Sequence, residues 1–386
     1  MHGGTAPNVS IAGVGTTPFR DEAPDSFLDL AAAAATDALA DAGLSIADVT
    51  SVHVGTMLAE ASNRRAGVAN ALAAALGTSG ASADRIENTS ASGASAVHRG
   101  IEAVRGGSTA ALVVGVEKMS AGDTAAQTEV ISRLVHEREY AQGVTLPSFA
   151  GLAAAAYLDR YDVPREALAR VAVKNHRNAA DNSIAQFRAA VDVDRVLDSP
   201  VVADPLRLYD CCPMTDGAAA LVLAPDEGGV RVAAATSATG THAVAERSDP
   251  LAVESVRVAG RRAFDDAGFG PEAIDVACVH DAFTILEWLE LEELGFYDAG
   301  TAWRATVAGE TARDGALPVN PGGGLKARGH PLGATGVAQL VELVWQLRGD
   351  LPAERRAGAP RRGLAVNVAG FGNNSVCTLL ERSSEA

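Results

Sequence analysis

Short apolar runs alternate along this chain with longer, alanine-rich segments of helical period. Val9 to Val14 predicts a strand. Ser26 to Ala42 predicts a helix: Ser26 can cap it, Asp29 stands at the third helical position, and Gly43 follows its end. Val52 to Val54 reads as a short strand, Ser92 to Arg105 as a helix and Ala110 to Val116 as a buried strand. Strand and helix in alternation imply α/β layering.

The pattern then repeats. Asp41-Ala42-Gly43-Leu44 is echoed by Asp266-Ala267-Gly268-Phe269, and the strand at Val52 to Val54 by Val276 to Val279. Gly93-Ala94-Ser95-Ala96-Val97 is echoed by Gly333-Ala334-Thr335-Gly336-Val337, each opening a helix. A strand follows each helix, at Ala111 to Val114 and at Leu364 to Val368. Preserved order makes two copies of one α/β unit the natural reading. The units are expected at residues 1–229 and 230–386, with Glu227 to Val230 as the link. Residues of about 120–199 fall outside the repeat: helix-rich and polar, they read as an insertion between late strands of the first unit, where lids and binding elements commonly sit.

Composition sharpens this picture. At 386 residues the chain is too long for one ordinary core. With 47% hydrophobic and 21% charged residues it is globular, and with 4% aromatics its layers must approach through small side chains. A net charge of −16 disfavours nucleic-acid or anionic-membrane partners. Met1 to Asn8 shows no signal-peptide pattern, and no apolar run reaches the ~18 residues of a membrane span, so a cytoplasmic location is expected. Four cysteines without a Cys-x-x-Cys pair suit a reducing compartment and no structural zinc. Cys211, Cys212 and Cys377 read as small core hydrophobes; Cys278, two residues before His280, reads as a fallback thiol sharing that residue's face. The run Gly322 to Gly336 lacks both the P-loop and the dinucleotide fingerprint, which excludes a nucleotide-binding reading, and Ser90 lacks a G-x-S-x-G elbow, which disfavours an ordinary α/β-hydrolase.

Five segments stand in a meaningful order: Glu87-Asn88-Thr89-Ser90-Ala91-Ser92-Gly93, Val114-Gly115-Val116-Glu117-Lys118-Met119-Ser120, Asp210-Cys211-Cys212-Pro213-Met214-Thr215-Asp216-Gly217, His280-Asp281-Ala282-Phe283, and Asn320-Pro321-Gly322-Gly323 through Gly329-His330-Pro331-Leu332-Gly333. Together they resemble the thiolase superfamily over nearly the whole chain, and within it the sterol-carrier-protein-type and archaeal branch. The resemblance implies a duplicated α/β/α/β/α sandwich with an inserted loop domain. It implies acyl-thioester chemistry, with coenzyme A or phosphopantetheine thioesters as substrates, no tightly bound cofactor and no metal. It also implies a homodimer, in which a zinc-ribbon/OB-fold subunit or an acyl carrier protein is a further possible partner.

Such chemistry needs a nucleophile at a helix N-terminus, a base, and donors for an oxyanion. The family's nucleophilic cysteine stands two residues before the Ser-Gly pair; here that position is Ser90, whose hydroxyl needs a well-placed base. His330 matches the base of the Gly-His-Pro motif, against a plainer reading as a buried turn histidine. His280 matches an oxyanion-hole position, against a strand-end histidine paired with Asp281. Gly329, Asp281 and the turn Gly370-Phe371-Gly372 are the expected oxyanion or substrate contacts. The family places a cysteine or histidine just before that turn, where this chain has Asn367 and Val368, neither of which titrates. Lys118, Lys174, Arg177 and Lys326 are expected near the mouth. Three functions remain open: acyl transfer through Ser90, carbon–carbon chemistry without an acyl-enzyme such as a retro-aldol or decarboxylative step, and a non-catalytic subunit. Steroid side-chain aldolases of this fold carry tyrosines where this chain keeps both histidines, which weakens the second.

Overall fold

The structure is a computed structural model that describes residues 7–78, 80–122, 124–225 and 229–383. Its strands are β1 (Val9–Thr16), β2 (Ser51–Gly55), β3 (Ser82–Ile86), β4 (Ala111–Lys118), β5 (Val201–Ala203), β6 (Leu206–Arg207), β7 (Asp216–Pro225), β8 (Val230–Thr239), β9 (Val276–Cys278), β10 (Arg362–Ala369) and β11 (Asn374–Arg382). The helices are α1 (Phe27–Asp41), α2 (Val68–Leu76), α3 (Ser92–Arg105), α4 (Thr124–Ser132), α5 (Glu137–Tyr140), α6 (Leu146–Arg160), α7 (Arg165–Ala180), α8 (Val193–Leu197), α9 (Glu254–Ala267), α10 (Thr284–Glu293), α11 (Ala302–Ala308) and α12 (Leu332–Arg348).

Local chemistry explains the boundaries. Ser26 and Asp29 form a reciprocal capping box at the start of α1. Gly43 and Gly268, the echoed glycines, follow α1 and α9 with φ of 64° and 76°, a left-handed geometry that glycine adopts without strain. In the link, Glu227 and Gly228 lie outside the described residues, and Val230 opens β8.

One sheet runs β3-β2-β4-β7-β1-β8-β11-β10-β9, while β5 and β6 form a separate hairpin. The large sheet is joined at its middle by a short antiparallel contact, Ser10 opposite Arg231 and Ile11 opposite Val230. Outward from that joint the order β1-β7-β4-β2 is matched by β8-β11-β10-β9, so the repeat in sequence is a repeat in topology. Helix α1 covers β1, β4 and β7, and α9 covers β8 and β11. Between the two halves α3 and α12 pack on each other, α12 touching β4, β7 and β10. Between β4 and β7 the chain forms α4 to α8, the β5–β6 hairpin and the turn Leu208–Asp210. Its helix α7 packs on the turn of π-helix Gly324–Arg328 that precedes His330. No helix among the described residues is long and apolar enough to cross a membrane.

The two central helices cross where side chains would not fit. A Cβ on Gly93 would stand 2.4 Å from the carbonyl oxygen of Gly333, and one on Gly336 would stand 2.5 Å from the backbone nitrogen of Ala94. Backbone cannot retreat cheaply from such a contact. Gly93→Ala is therefore expected to lower stability by about 1–3 kcal/mol, measured by urea unfolding. Ser26→Ala, which removes only the cap of α1, is expected to cost about 1 kcal/mol. A Gly93→Ala protein as stable as the parent would show that the crossing has room to spare.

Candidate active site

The N-termini of both central helices meet at one small cavity of about 140 Å³, whose lining includes Ser90, His280 and His330. Ser90 lies two residues before α3 in a tight turn. Thr89 adopts a left-handed φ of 46°, and Asn88 N–H donates to Ser92 Oγ at 2.9 Å while Ser92 Oγ donates to the Thr89 carbonyl at 2.6 Å. Asn88 Nδ2 ties the turn to Ser95 and to Asn374 on β11. Ser90 is buried, lines the cavity, and makes no hydrogen bond to either imidazole.

His330 is positioned by its own backbone and ring. Its N–H donates to Thr215 Oγ1 at 2.9 Å, and Nδ1 lies 2.7 Å from Thr335 Oγ1. Thr335 Oγ1 also lies 2.9 Å from the Pro331 carbonyl, and when its proton goes there it accepts from Nδ1–H. In that arrangement Nε2 carries the free lone pair. Burial, reinforced by the Arg328 guanidinium, pushes His330 down to about 3, so the ring is neutral.

His280 holds the opposite tautomer. Its Nδ1 lies 2.8 Å from Asn367 Nδ2, and with that amide nitrogen donating, the ring proton sits on Nε2. The two rings stand edge to face, centroids 5.0 Å apart at 87°. Burial first, and then His330, holds His280 well below the usual histidine range. Its backbone N–H donates to Glu290 Oε2 at 2.6 Å, and burial pushes that carboxyl well above the carboxylate range. The site thus presents one hydroxyl, one imidazole acceptor and one imidazole donor, with both imidazoles uncharged.

Other expected contacts lie elsewhere. Asp281 does not pair with His280 and is absent from the cavity lining. Its carboxylate accepts from the N–H groups of Leu325 and Lys326 at 2.7 and 3.2 Å and from Asn175 Nδ2 at 2.7 Å, holding the turn before His330. Burial pushes Asp281 up to about 6. Asn367 reaches the site only through His280. Gly370 lines the cavity, whereas Phe371 lines a neighbouring, largely apolar cavity of about 590 Å³ with Phe149 and Leu152. Gly372 packs on Val253, and Gly329 on Thr215 with a φ of 116° that favours glycine. Cys278 is buried in the hydrophobic core and lines neither cavity, while Cys211 and Cys212, read from sequence as core, line the site. Burial pushes both of those thiols up to about 12, so they are not thiolates. Lys118 is taken up by Asp216 at 3.3 Å and Lys174 by Glu287 at 3.2 Å.

Glu117 is a residue that motif reading passes over. Deep in β4, it accepts from Thr56 Oγ1 at 2.8 Å, Met57 N–H at 2.9 Å, Leu58 N–H at 3.0 Å and, across the layers, Gly333 N–H at 3.1 Å. Burial pushes it up to about 7 despite these donors. It clamps the first turn of α12, directly after His330. The available signal is a lone acid ending an otherwise apolar strand, Leu112 to Val116. Among the described residues no group of three or more His, Cys, Asp and Glu is placed to hold a metal.

Residues 9–227 match the thiolase N-terminal domain and residues 236–382 the thiolase C-terminal domain-like family. The chain is 40% identical over 382 residues to an acetyl-CoA acetyltransferase of Methanothermobacter thermautotrophicus, covering 97% of this chain and 100% of that one. It is 32% identical over 394 residues to sterol carrier protein 2 of Gallus gallus, covering 96% and 71%. Among solved structures it superposes on an Ltp2-ChsH2(DUF35) aldolase with a TM-score of 0.84 at 25% identity, covering 98% and 99%. With both halves matched in order over nearly the whole chain, the chain belongs to the thiolase family.

Proposed function

We propose that this protein is an acyltransferase acting on acyl thioesters of coenzyme A or of a carrier protein, with Ser90 as the acyl acceptor. The supporting observation is that Ser90, His280 and His330 line one cavity, with Nδ1 of one ring held by Thr335 and Nδ1 of the other by Asn367, which leaves both Nε2 atoms for chemistry. Ser90 Oγ attacks the thioester carbonyl and His330 Nε2 takes its proton. The carbonyl oxygen, now an oxyanion, receives a hydrogen bond from His280 Nε2–H. Collapse breaks the carbon–sulfur bond, and His330 returns the proton to the leaving thiolate. Asn367 acts as a positioning residue by holding the His280 tautomer. A cavity of about 140 Å³ favours a short acyl group. The relatives named acetyl-CoA acetyltransferase support the same substrate class.

Two properties shape the second half-reaction. An acyl-serine ester is less activated than a thioester, and Asn367 supplies no general base for carbanion formation. Transfer to a good nucleophile therefore suits this site better than Claisen condensation. The structural likeness to an aldolase favours a second reading, in which carbon–carbon bonds break without an acyl-enzyme. That neighbour's name also supports a DUF35-type partner subunit, and we propose a homodimer in addition.

Incubation with a panel of acyl-CoA thioesters followed by intact-protein mass spectrometry is expected to add one acyl mass to the wild type and none to Ser90→Ala. Ser90→Cys is expected to acylate faster, because a thiol near pKa ~8.5 ionises far more readily than a hydroxyl. His330→Asn is expected to slow acylation by about 10²–10⁴-fold. Full turnover of a β-hydroxyacyl thioester by Ser90→Ala would move the assignment to the aldolase reading. Thioester binding without turnover, with a partner subunit also supplied, would move it to a non-catalytic role.

The pH dependence follows from the neutral histidines. The reactive form of His330 is the unprotonated one, and its depressed value near 3 keeps that form populated in mild acid. Acylation rates are expected to stay flat from pH 8 down to about 5, rather than halving near an unperturbed histidine value of ~6.5. An acid limb centred near 6.5 would show that a solvated histidine, not this one, is the base.

A further inference from the structure

Cys211, Cys212 and Pro213 line two cavities, the candidate active site and a second one of about 550 Å³. The second is built from the inserted segment and the turn before His330, and it faces different chemistry. Lys326 lies on that turn and is only 2% exposed. Its ammonium has no hydrogen-bond or ion-pair partner among the described residues. It lies 5.7 Å from the ring centroids of both Phe187 and Tyr209. His176 stacks on Phe187 at 5.7 Å and 20° and meets Tyr209 edge-on at 5.4 Å. Burial pushes His176 down to about 4, so it is neutral, and its Nδ1–H faces the Ala189 carbonyl at 3.2 Å. That leaves Nε2 as a buried acceptor with no partner.

Among the described residues no aspartate or glutamate lines this cavity, although the chain carries a net charge of −16. Arg188 and Arg195 stand at its rim, exposed, and Arg195 donates to the Tyr209 hydroxyl at 2.9 Å. The acids whose charges reach Lys326 are engaged elsewhere: Asp281 by backbone N–H groups and Asn175, and Asp210 by Arg165 and Thr284. A desolvated ammonium without a carboxylate costs free energy that a bound anion would recover.

We propose that this second cavity binds a small anionic group, a carboxylate or a phosphate ester, carried by the thioester substrate. Lys326 is its buried counter-charge, Arg188 and Arg195 attract it at the rim, and the Phe187 and Tyr209 rings flank it. The neutral His176 ring backs the Phe187 and Tyr209 rings and brings no second positive charge beside Lys326. That the anion belongs to a thioester rests on the acyl-transfer reading; the anion site itself does not.

Calorimetric titration of the full chain with inorganic phosphate and with glutarate tests the site directly. Wild type is expected to bind at least one of them, Lys326→Gln to bind it at least about tenfold more weakly, and Lys326→Arg to recover most of the loss. Should Lys326→Gln fail to fold, Arg195→Gln at the exposed rim is expected to weaken binding severalfold. Kinetics then separate the sources. If the anion is a carboxylate on the acyl group, Lys326→Gln raises KM more for glutaryl-CoA than for acetyl-CoA, and equally for glutaryl-pantetheine. If it is a phosphate of the coenzyme, KM rises for both coenzyme A thioesters and not for the pantetheine ones. Failure of wild type to bind either probe, or equal binding by Lys326→Gln, overturns the proposal. Loss of Ser90 acylation with the calorimetry intact overturns only the acyl-transfer reading.

Discussion

The close crossing of α3 and α12 is the contact on which the rest of this molecule depends. Two helix N-termini can share one small cavity only if their backbones touch, and Gly93, Gly333 and Gly336 remove the side chains that would hold them apart. The same approach explains the composition. Alanine-rich helices such as α1, with Ala31, Ala34, Ala35 and Ala38 buried, let layers stack closely, so few aromatics are needed. The long central sheet, joined where β1 meets β8, then acts as the frame that carries the crossing.

Around that crossing, charge is handled by burial rather than by exposure. Glu117 reaches across the layers to the first turn of α12, and Asp281 holds the turn that leads into His330. Both carboxylates serve backbone N–H groups, which is how a buried acid can be kept without a cationic partner. The imidazoles are treated the opposite way: each gives one ring nitrogen to a neutral partner, and the apolar surroundings keep both rings uncharged. A site that begins neutral makes any charge that develops in it expensive unless donors are already in place, which is the condition under which preorganised hydrogen bonds matter most.

The inserted segment adds a second kind of surface. Its helix α7 and the loop up to β7 form the walls of cavities that the duplicated sheet alone would not enclose. Cys211 and Cys212 sit on the shared wall, half-buried and protonated, so their part is to shape the boundary rather than to react. The turn Gly324–Arg328 couples the two regions: its backbone is fixed from the Asp281 side while Lys326 projects toward the inserted segment.

Sequence by itself determined the α/β alternation, the repeated unit and the helix ends at Ser26, Gly43 and Gly268, because these rest on local period, capping and turn chemistry. It also singled out Ser90, His280 and His330, because their motifs are short and contiguous. It did not determine which groups face the cavity. Asp281 is adjacent to His280 in sequence yet points to a different turn, since successive residues at a strand end project in opposite directions. Glu117 joins the site through Gly333, more than two hundred residues away, and Cys211 and Cys212 reach it because the insertion folds over the sheet. The histidine tautomers were decided only in three dimensions, by Thr335 on one ring and Asn367 on the other, because a proton's position depends on which partner lies within hydrogen-bond reach.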